Sequence, residues 1–217
     1  MAIEPRASAR SARLPRTRSL SGGGTFGNER LTAAVGAVLI VLLAVIGVTI
    51  ISLSRLLWVH LFVGMLLIGP LALKLASTGY RFARYYTANR SYREKGPPPA
   101  PLRVIAPIVV LATLVVFASG VALLFIGPSS RGTLLPIHKV SFIVWVAFMA
   151  IHVLAHLPTV VRSLRADYAA PRALRDHPPG RNGRALSLIG ALTAGVVIAI
   201  LVIPQFAPWI TSQHFHH

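Results

Sequence analysis

The sequence contains no cysteine. Disulfides, thiolate-bound metals and iron–sulfur clusters are therefore excluded from this chain, and a redox cofactor would be held by histidine. Acidic residues are also scarce, since only 5 Asp and Glu stand against 22 Lys and Arg. A net charge of +17 can indicate nucleic-acid binding. Here, however, the charge is divided among connections beside apolar segments, where membrane topology and anionic lipid explain it. We therefore expect membrane lipid as a partner and no nucleic acid.

No polar stretch is long enough for a large soluble domain, whereas 54% of the residues are hydrophobic and only 12% are charged. Several apolar runs reach the roughly 18 residues that a membrane-spanning helix needs. Within a bilayer, backbone polar groups are satisfied only in helices or closed barrels, and the lengths of these runs favour helices. The sequence therefore predicts an all-α membrane protein with transmembrane helices at about 31–53, 56–77, 104–126, 134–157 and 185–207.

The positions of the basic residues predict the orientation. Nearly all of the 22 Lys and Arg flank one side of the spans, and the other side has only Arg55, Arg131 and Lys139. Short loops rich in Lys and Arg remain in the cytoplasm. We therefore predict a multi-pass protein of the bacterial inner (plasma) membrane, with its N-terminus cytoplasmic and its C-terminus outside.

The same pattern predicts the organisation of the chain. No short apolar core precedes residue 31, so the beginning of the chain is not a secretory signal. We predict a flexible basic cytoplasmic tail at 1–30, a four-helix bundle at 31–165, a cytoplasmic loop at 166–184, a fifth transmembrane helix at 185–209 and a His-rich outer tail at 210–217.

Two histidines, His60 and His138, lie near the beginnings of the second and fourth spans. An ionisable side chain within a membrane segment is costly and is a candidate for function. Both spans run from outside to inside in the predicted topology, so the two imidazoles share one depth. Two imidazoles on opposite sides of one haem iron leave no open coordination position, which suits electron transfer. We predict that His60 and His138 hold an outer haem b. Gly64, one turn beyond His60, leaves space either for the macrocycle or for close helix packing.

The fourth span also carries His152 and His156. His152 follows His138 by fourteen residues, so the two side chains share a helix face and lie about 21 Å apart, with Trp145 midway. His156 lies one turn further along that face.

On the second span, the position fourteen residues after His60 is Lys74 and not a histidine. Four interpretations of this inner site stay open. Lys74 could ligate an inner haem iron. Together with His152 or His156 it could bind a quinone oxygen or relay protons. It could extend to the cytoplasmic surface. Finally, His152 and His156 could chelate a metal ion directly.

The helices and histidines resemble a known family. The resemblance rests on the pair Ser119-Gly120 near the end of the third span, on His60 and His138, and on the fourteen-residue spacing from His138 to His152. They resemble the bacterial membrane cytochrome b subunits of formate dehydrogenase and nickel–iron hydrogenase, in the wider cytochrome b561-like group. The resemblance covers about residues 30–165.

This resemblance implies four helices that form a haem-binding bundle, with two b haems stacked across the membrane. It implies electron transfer between a quinone and a partner redox subunit. It places His60 and His138 on the outer haem, and His152 on the inner haem opposite a histidine from the start of the first helix. This chain departs from the pattern there, because Asn28-Glu29-Arg30-Leu31 contains no histidine.

From residues and resemblance together we expect a membrane cytochrome with one or two haem b groups. It would be an electron-transfer subunit of an oxidoreductase and not a stand-alone catalyst, because no motif for flavin, nicotinamide or molybdenum cofactors is present. The alternative function is a haem-free metal-ion carrier, or a structural or assembly subunit of a membrane complex.

Overall fold

The computed structural model describes residues 24–87, 90–94, 100–168 and 180–214, and all regular structure in these residues is helical. Two short 3-10 turns, at Pro128–Ser130 and Ile203–Phe206, accompany the α-helices. The predicted tail before residue 24, residues 169–179 of the predicted loop and the final residues 215–217 lie outside the described residues. The α-helices are α1 Gly24–Ile51, α2 Leu53–Leu66, α3 Ile68–Tyr86, α4 Arg90–Glu94, α5 Ala100–Ile126, α6 Leu134–Tyr168, α7 Arg181–Leu201 and α8 Ala207–His214.

Five helical spans in the described residues are long and apolar enough to cross a membrane. They are Thr25–Ile51, Leu53–Tyr86, Pro101–Ile126, Leu134–Arg165 and Arg181–Leu201. The prediction of an all-α membrane protein with five transmembrane helices is therefore confirmed. The second span contains both α2 and α3, and the first begins upstream of residue 31, where it was expected to begin.

The spans bury little of their apolar surface against one another. Only 6% to 28% of the most apolar stretch of each span is buried inside the protein. Large aliphatic side chains such as Val41, Ile143 and Leu154 are 64%, 63% and 70% exposed. This is the surface expected of helices whose lateral solvent is lipid, because apolar side chains facing acyl chains need no protein cover.

The regular helix of the second span is interrupted at Leu67, between α2 and α3 and near the buried Pro70, and a proline inside a helix bends it. Proline has no backbone N–H, so the carbonyl of Leu66 loses its partner one turn ahead. The hydrogen bonds around the break are kept, from Leu67 N to Val63 O at 3.0 Å and from Leu71 N to Leu67 O at 2.9 Å. The span therefore continues across the membrane as one kinked helix.

Helix α7 packs against this kink through two glycines. A Cβ on Gly69 would collide with the backbone oxygen of Ala191, and a Cβ on Gly195 would collide with the backbone oxygen of Leu66. Backbone meets backbone at this crossing, which is how small residues permit close helix approach in membranes. The fifth span is thus tied to the second at its bend.

The fifth span ends at Leu201 and not near residue 207, where it was predicted to end. Val202 leaves helical geometry, with φ −98° and ψ 4°, and Pro204 cannot donate the hydrogen bond that would continue the helix. The chain then turns so that Phe206, only 1% exposed, packs with Met65, Leu124 and Ala199 in a small core. We call this end of the bundle the α8 end, and the opposite end, where the arginine-rich helix termini lie, the basic end.

The helices fall into two groups, and we call the space between α2 or α3 and α6 the crevice. Helix α1 packs against α2 and α3 on one side and against α6 on the other, while α5 lies along α6 and α7 lies along α2 and α3. Among the described residues, neither α2 nor α3 is closely packed on α6. The two helix groups are therefore joined through α1, and they meet again at the α8 end, where Met65 of α2 and Leu124 of α5 share the core.

Substituting Gly69 tests the crossing of α3 and α7. Gly69→Ala forces the two backbones apart, and overpacking of this kind costs about 1–3 kcal/mol. We expect the thermal unfolding midpoint to fall by several degrees. Gly79→Ala in the same helix is the matched control, because a Cβ there meets no atom within 4 Å, and alanine is the better helix former. Equal midpoints for the two variants would contradict the backbone contact.

Candidate functional site

His60 lies in α2 near the α8 end and is held from α1. Its Nδ1 is 2.9 Å from Thr49 Oγ1. The Thr49 hydroxyl donates its own proton to the carbonyl of Ile46 at 2.6 Å. The threonine oxygen therefore accepts, and His60 Nδ1 carries the hydrogen. Thr49 is 1% exposed, so this bond is protected from competing donors.

His138 lies in α6 at the same end and is held from α5. Its Nδ1 is 3.1 Å from the carbonyl oxygen of Val116 and 3.0 Å from Ser119 Oγ. A carbonyl oxygen can only accept, so Nδ1 of His138 also carries the hydrogen. Ser119 donates to the same Val116 carbonyl at 3.0 Å, which leaves its oxygen free to accept from the imidazole.

Both rings thus share one tautomer. In a neutral imidazole with hydrogen on Nδ1, Nε2 is unprotonated and can bind a metal. A metal-binding histidine usually donates its other N–H to a carbonyl, carboxylate or water, which fixes the tautomer and the ring orientation. His60 and His138 both have this preparation.

Two glycines shape the space around these rings. A Cβ on Gly120 would lie 3.0 Å from His138 Cε1, so the absence of a side chain there lets the imidazole lie against α5. A Cβ on Gly64 would meet no atom within 4 Å. Gly64 therefore borders open space on the His60 face of α2 and does not serve helix packing.

The structure brings His60 and His138 into one neighbourhood, where the two imidazoles interact electrostatically. One belongs to α2 and the other to α6, the two helices that the crevice separates. In the described residues, no group of three or more His, Cys, Asp or Glu side chains could hold a metal ion. Two imidazoles are nevertheless sufficient for a haem, because the porphyrin supplies the other four ligands of the iron. The residues present fit such a group.

At the basic end, Lys74 of α3 turns toward α1. Its Nζ donates to the backbone oxygen of Thr32 at 2.8 Å, and a Cβ on Gly36 would lie 3.2 Å from it. Lys74 is half-buried. The amine is therefore docked on the backbone of α1, beside a glycine that leaves room for it.

A polar network holds α1 and α3 together beside Lys74. Asn28 Nδ2 donates to the backbone oxygen of Ser77 at 3.1 Å. Thr32 Oγ1 lies 3.0 Å from Ser77 Oγ, and Ser77 Oγ donates to the backbone oxygen of Lys74 at 3.0 Å. These contacts explain why α1 continues to Gly24: its first turns carry polar groups with partners on α3.

His152 and His156 occupy successive turns of α6, with ring centroids 4.6 Å apart and ring planes inclined by 54°. Both interact electrostatically with Lys74. The structure therefore brings Lys74, His152 and His156 together. It places them at the other end of the bundle from His60 and His138.

Trp145 lies between the two groups of histidines and has a structural partner. Its Nε1 donates to Thr113 Oγ1 of α5 at 2.8 Å, and Thr113 donates to the backbone oxygen of Val109 at 2.6 Å. Trp145 and Thr113 are 7% and 3% exposed. This buried bond fixes α6 against α5 at mid-membrane.

The sequence alone did not identify the threonines Thr32, Thr49 and Thr113. Each is a small polar residue in a long apolar helix, and such residues commonly bond within their own helix. One feature of the sequence could have indicated the contact of Thr49 with His60. Thr49 lies near the end of the first span and His60 near the beginning of the second, so the two residues lie at a similar depth in the membrane.

Comparison with protein-family models, curated proteins and solved structures found no match to this chain.

The tautomers can be measured directly. Nitrogen NMR of the protein labelled at histidine nitrogens, without added cofactor, is expected to show Nδ1-protonated neutral rings for His60 and His138. Assignment uses the variants His60→Gln and His138→Gln. Thr49→Val removes the acceptor from His60 alone, so the His60 signal should move toward a mixture of tautomers while His138 stays unchanged. Nε2-protonated rings in the unsubstituted protein would contradict the bonding described above.

Proposed function

We propose that the chain is a membrane b-type cytochrome that transfers electrons between a quinone pool and a partner redox subunit. The haem b is held between His60 and His138. The observation that carries the proposal is the matched preparation of these two imidazoles, each with Nδ1–H bonded to a neighbouring helix and Nε2 left as a ligand. The resemblance to membrane cytochrome b subunits, which includes the same two histidines, agrees with it.

A haem held by His60 and His138 would supply one-electron chemistry. The chain's own residues do the rest. Thr49 and the Val116 carbonyl accept hydrogen bonds from the two Nδ1–H groups, which fixes the tautomer and the orientation of both rings. Gly120 lets His138 lie against α5, and the open space beside Gly64 leaves room on the His60 face. The apolar helices exclude water from the crevice.

The remaining partners follow from position and charge. The basic end carries the arginines of the helix termini and connections, so we assign it to the cytoplasmic side of a bacterial inner membrane. Lys74, His152 and His156 would then lie toward the cytoplasm, and the proposed haem toward the outside. The chain contains no motif for a second redox cofactor, so catalysis would belong to a partner subunit.

The competing function is a haem-free protein, such as a metal-ion carrier or an assembly subunit. The close approach of His152 and His156, at 4.6 Å between ring centroids, is the observation in its favour. Its weakness is the neighbouring Lys74, because an ammonium group repels a bound cation.

The optical spectrum of purified protein tests the proposal. After expression with adequate haem supply, the reduced-minus-oxidised spectrum should show a b-type band. His60→Ala and His138→Ala should each lose most of the bound haem. Lys139→Ala is the matched control, since it removes an exposed side chain adjacent to His138 and should retain the band. Absence of any band in the unsubstituted protein would leave the haem-free function standing, whereas normal bis-imidazole haem in His60→Ala would contradict the proposed ligand pair.

Thr49→Val tests the role of the supporting hydrogen bond. The substitution keeps shape and removes the acceptor of His60 Nδ1–H. Loss of such a partner typically weakens metal affinity by about 10–100-fold, which haem titration of the haem-free protein would measure. Thr211→Val is the control, because the Thr211 hydroxyl is exposed and bonds only within α8. Equal haem affinities for the two variants would show that Thr49 does not position His60.

A further inference from the structure

Lys74 is a cation embedded in the second membrane-spanning helix. Of its three N–H donors, one is used by the Thr32 carbonyl at 2.8 Å. No carboxylate in the described part of the chain lies within ion-pair distance of it. It also lies six residues, or about 9 Å, deeper along α3 than Tyr80, an exposed tyrosine whose ring Arg84 contacts. A charge at this depth is expensive unless something pairs with it.

The groups around Lys74 add positive or hydrogen-bond-donating character and so increase the cost of leaving its charge unpaired. One point on α1, the Cβ position of Gly36, lies 3.2 Å from Lys74 Nζ and 4.0 Å from Val160 Cγ2. Val160 is one turn beyond His156 on α6. Lys74, His152 and His156 are therefore neighbours, and they interact electrostatically. In the described part of the chain, the charged and titratable groups that act on these histidines are themselves basic, namely Lys74, Arg81 and the other imidazole. A cluster of nitrogen donors without carboxylates attracts oxygen ligands that accept hydrogen bonds and carry partial or full negative charge.

The same geometry does not fit a second haem. Axial ligands must approach an iron from opposite sides, but His152 and His156 occupy adjacent turns of one helix, 4.6 Å apart. No residue of α1 is a histidine. Lys74, the group in the corresponding position of the second span, is tethered to the backbone of α1.

The cluster is also open to the membrane. Helix α3 is not closely packed on α5 or α6 in the described residues, so no helix closes the crevice between them at this end. On α6, His152 and His156 are only half-buried, and Ala155, in the turn between them, is exposed. A molecule dissolved in the bilayer can therefore approach the cluster laterally.

We propose that Lys74, His152 and His156 form a binding site for a hydrogen-bond-accepting oxygen of a membrane-borne molecule, in place of a second haem. The oxygen belongs to a quinone carbonyl or to the phosphate of an anionic lipid. The ammonium of Lys74 supplies the charged donor, and the two imidazoles supply further donors or acceptors. The quinone source rests on the proposed function, whereas the lipid source does not.

Thermal unfolding in nanodiscs tests the site. Three lipid compositions are compared: phosphatidylcholine alone, phosphatidylcholine with a short-tailed ubiquinone, and phosphatidylcholine with phosphatidylglycerol. A ligand that binds the native protein raises the midpoint, by about 5–10 °C at a hundredfold excess over its Kd. We expect this rise in one of the two supplemented samples, and its loss in Lys74→Leu. Lys139→Leu, an exposed lysine near the start of α6, is the control and should behave as the unsubstituted chain.

A second variant guards against a folding defect in Lys74→Leu. Gly36→Val keeps the charge of Lys74 and places side-chain atoms where its Nζ now lies, so the rise in midpoint should again be lost. No rise with either ligand overturns the proposal. So does an equal rise in Lys74→Leu and the unsubstituted protein.

Haem content separates this proposal from the function proposed above. The unsubstituted chain is expected to bind one haem, and His152→Ala is expected to keep it. Two haems per chain, with one lost in His152→Ala, would overturn the site while supporting the cytochrome. If no haem is bound, the cytochrome fails, and the nanodisc measurements still decide the site in the haem-free protein.

Discussion

A polar side chain within a membrane helix has no water to bond, and in this protein such side chains reach across to a neighbouring helix. Thr49 of α1 meets His60 of α2, Ser119 of α5 meets His138 of α6, and Lys74 of α3 meets the backbone of α1. Trp145 and Thr113 add a fourth bond between α5 and α6. Because lipid solvates the apolar faces, hydrophobic burial does little to choose helix partners. These bonds and the small-residue contacts choose them.

The same bonds divide the molecule into two chemically different ends. At the α8 end, two imidazoles donate through Nδ1 to neighbouring helices. At the basic end, an amine donates to a carbonyl and lies beside two more imidazoles. Trp145 lies between them, bonded to α5. A single helix, α6, thus contributes histidines to both ends.

The sequence was sufficient for the number of spans and for the grouping of the candidate residues. A run of apolar residues long enough for the bilayer has few alternatives to a helix, and the fourteen-residue step between His138 and His152 fixes their shared face. Helix rotation could not be predicted in the same way. Spans that are apolar on all sides carry almost no amphipathic signal, so nothing indicated that Thr49 faces His60 or that Lys74 turns toward α1.

The ends of the helices were predicted less well for related reasons. The early beginning of α1 depends on Asn28 and Thr32 finding Ser77 of α3, a contact distant in sequence. The end of α7 depends on Pro204 and on the packing of Phe206 at the α8 end. Hydropathy does not record either helix end. The first turns of α1 are polar and so lie outside the apolar run, whereas the chain remains apolar beyond the end of α7.

The crossing of α7 with the bend near Pro70 has a mechanical consequence. The second span carries His60 on one arm of the bend and Lys74 on the other, so any change in the bend angle would change the separation and relative tilt of the two ends. A proline bend alone is a natural hinge. Here the backbone of α7 lies directly against it at Gly69 and Gly195, and leaves no slack for bending. Helix α7 thus restrains the bend, and the relative position of the two ends is set by a helix that supplies no histidine to either.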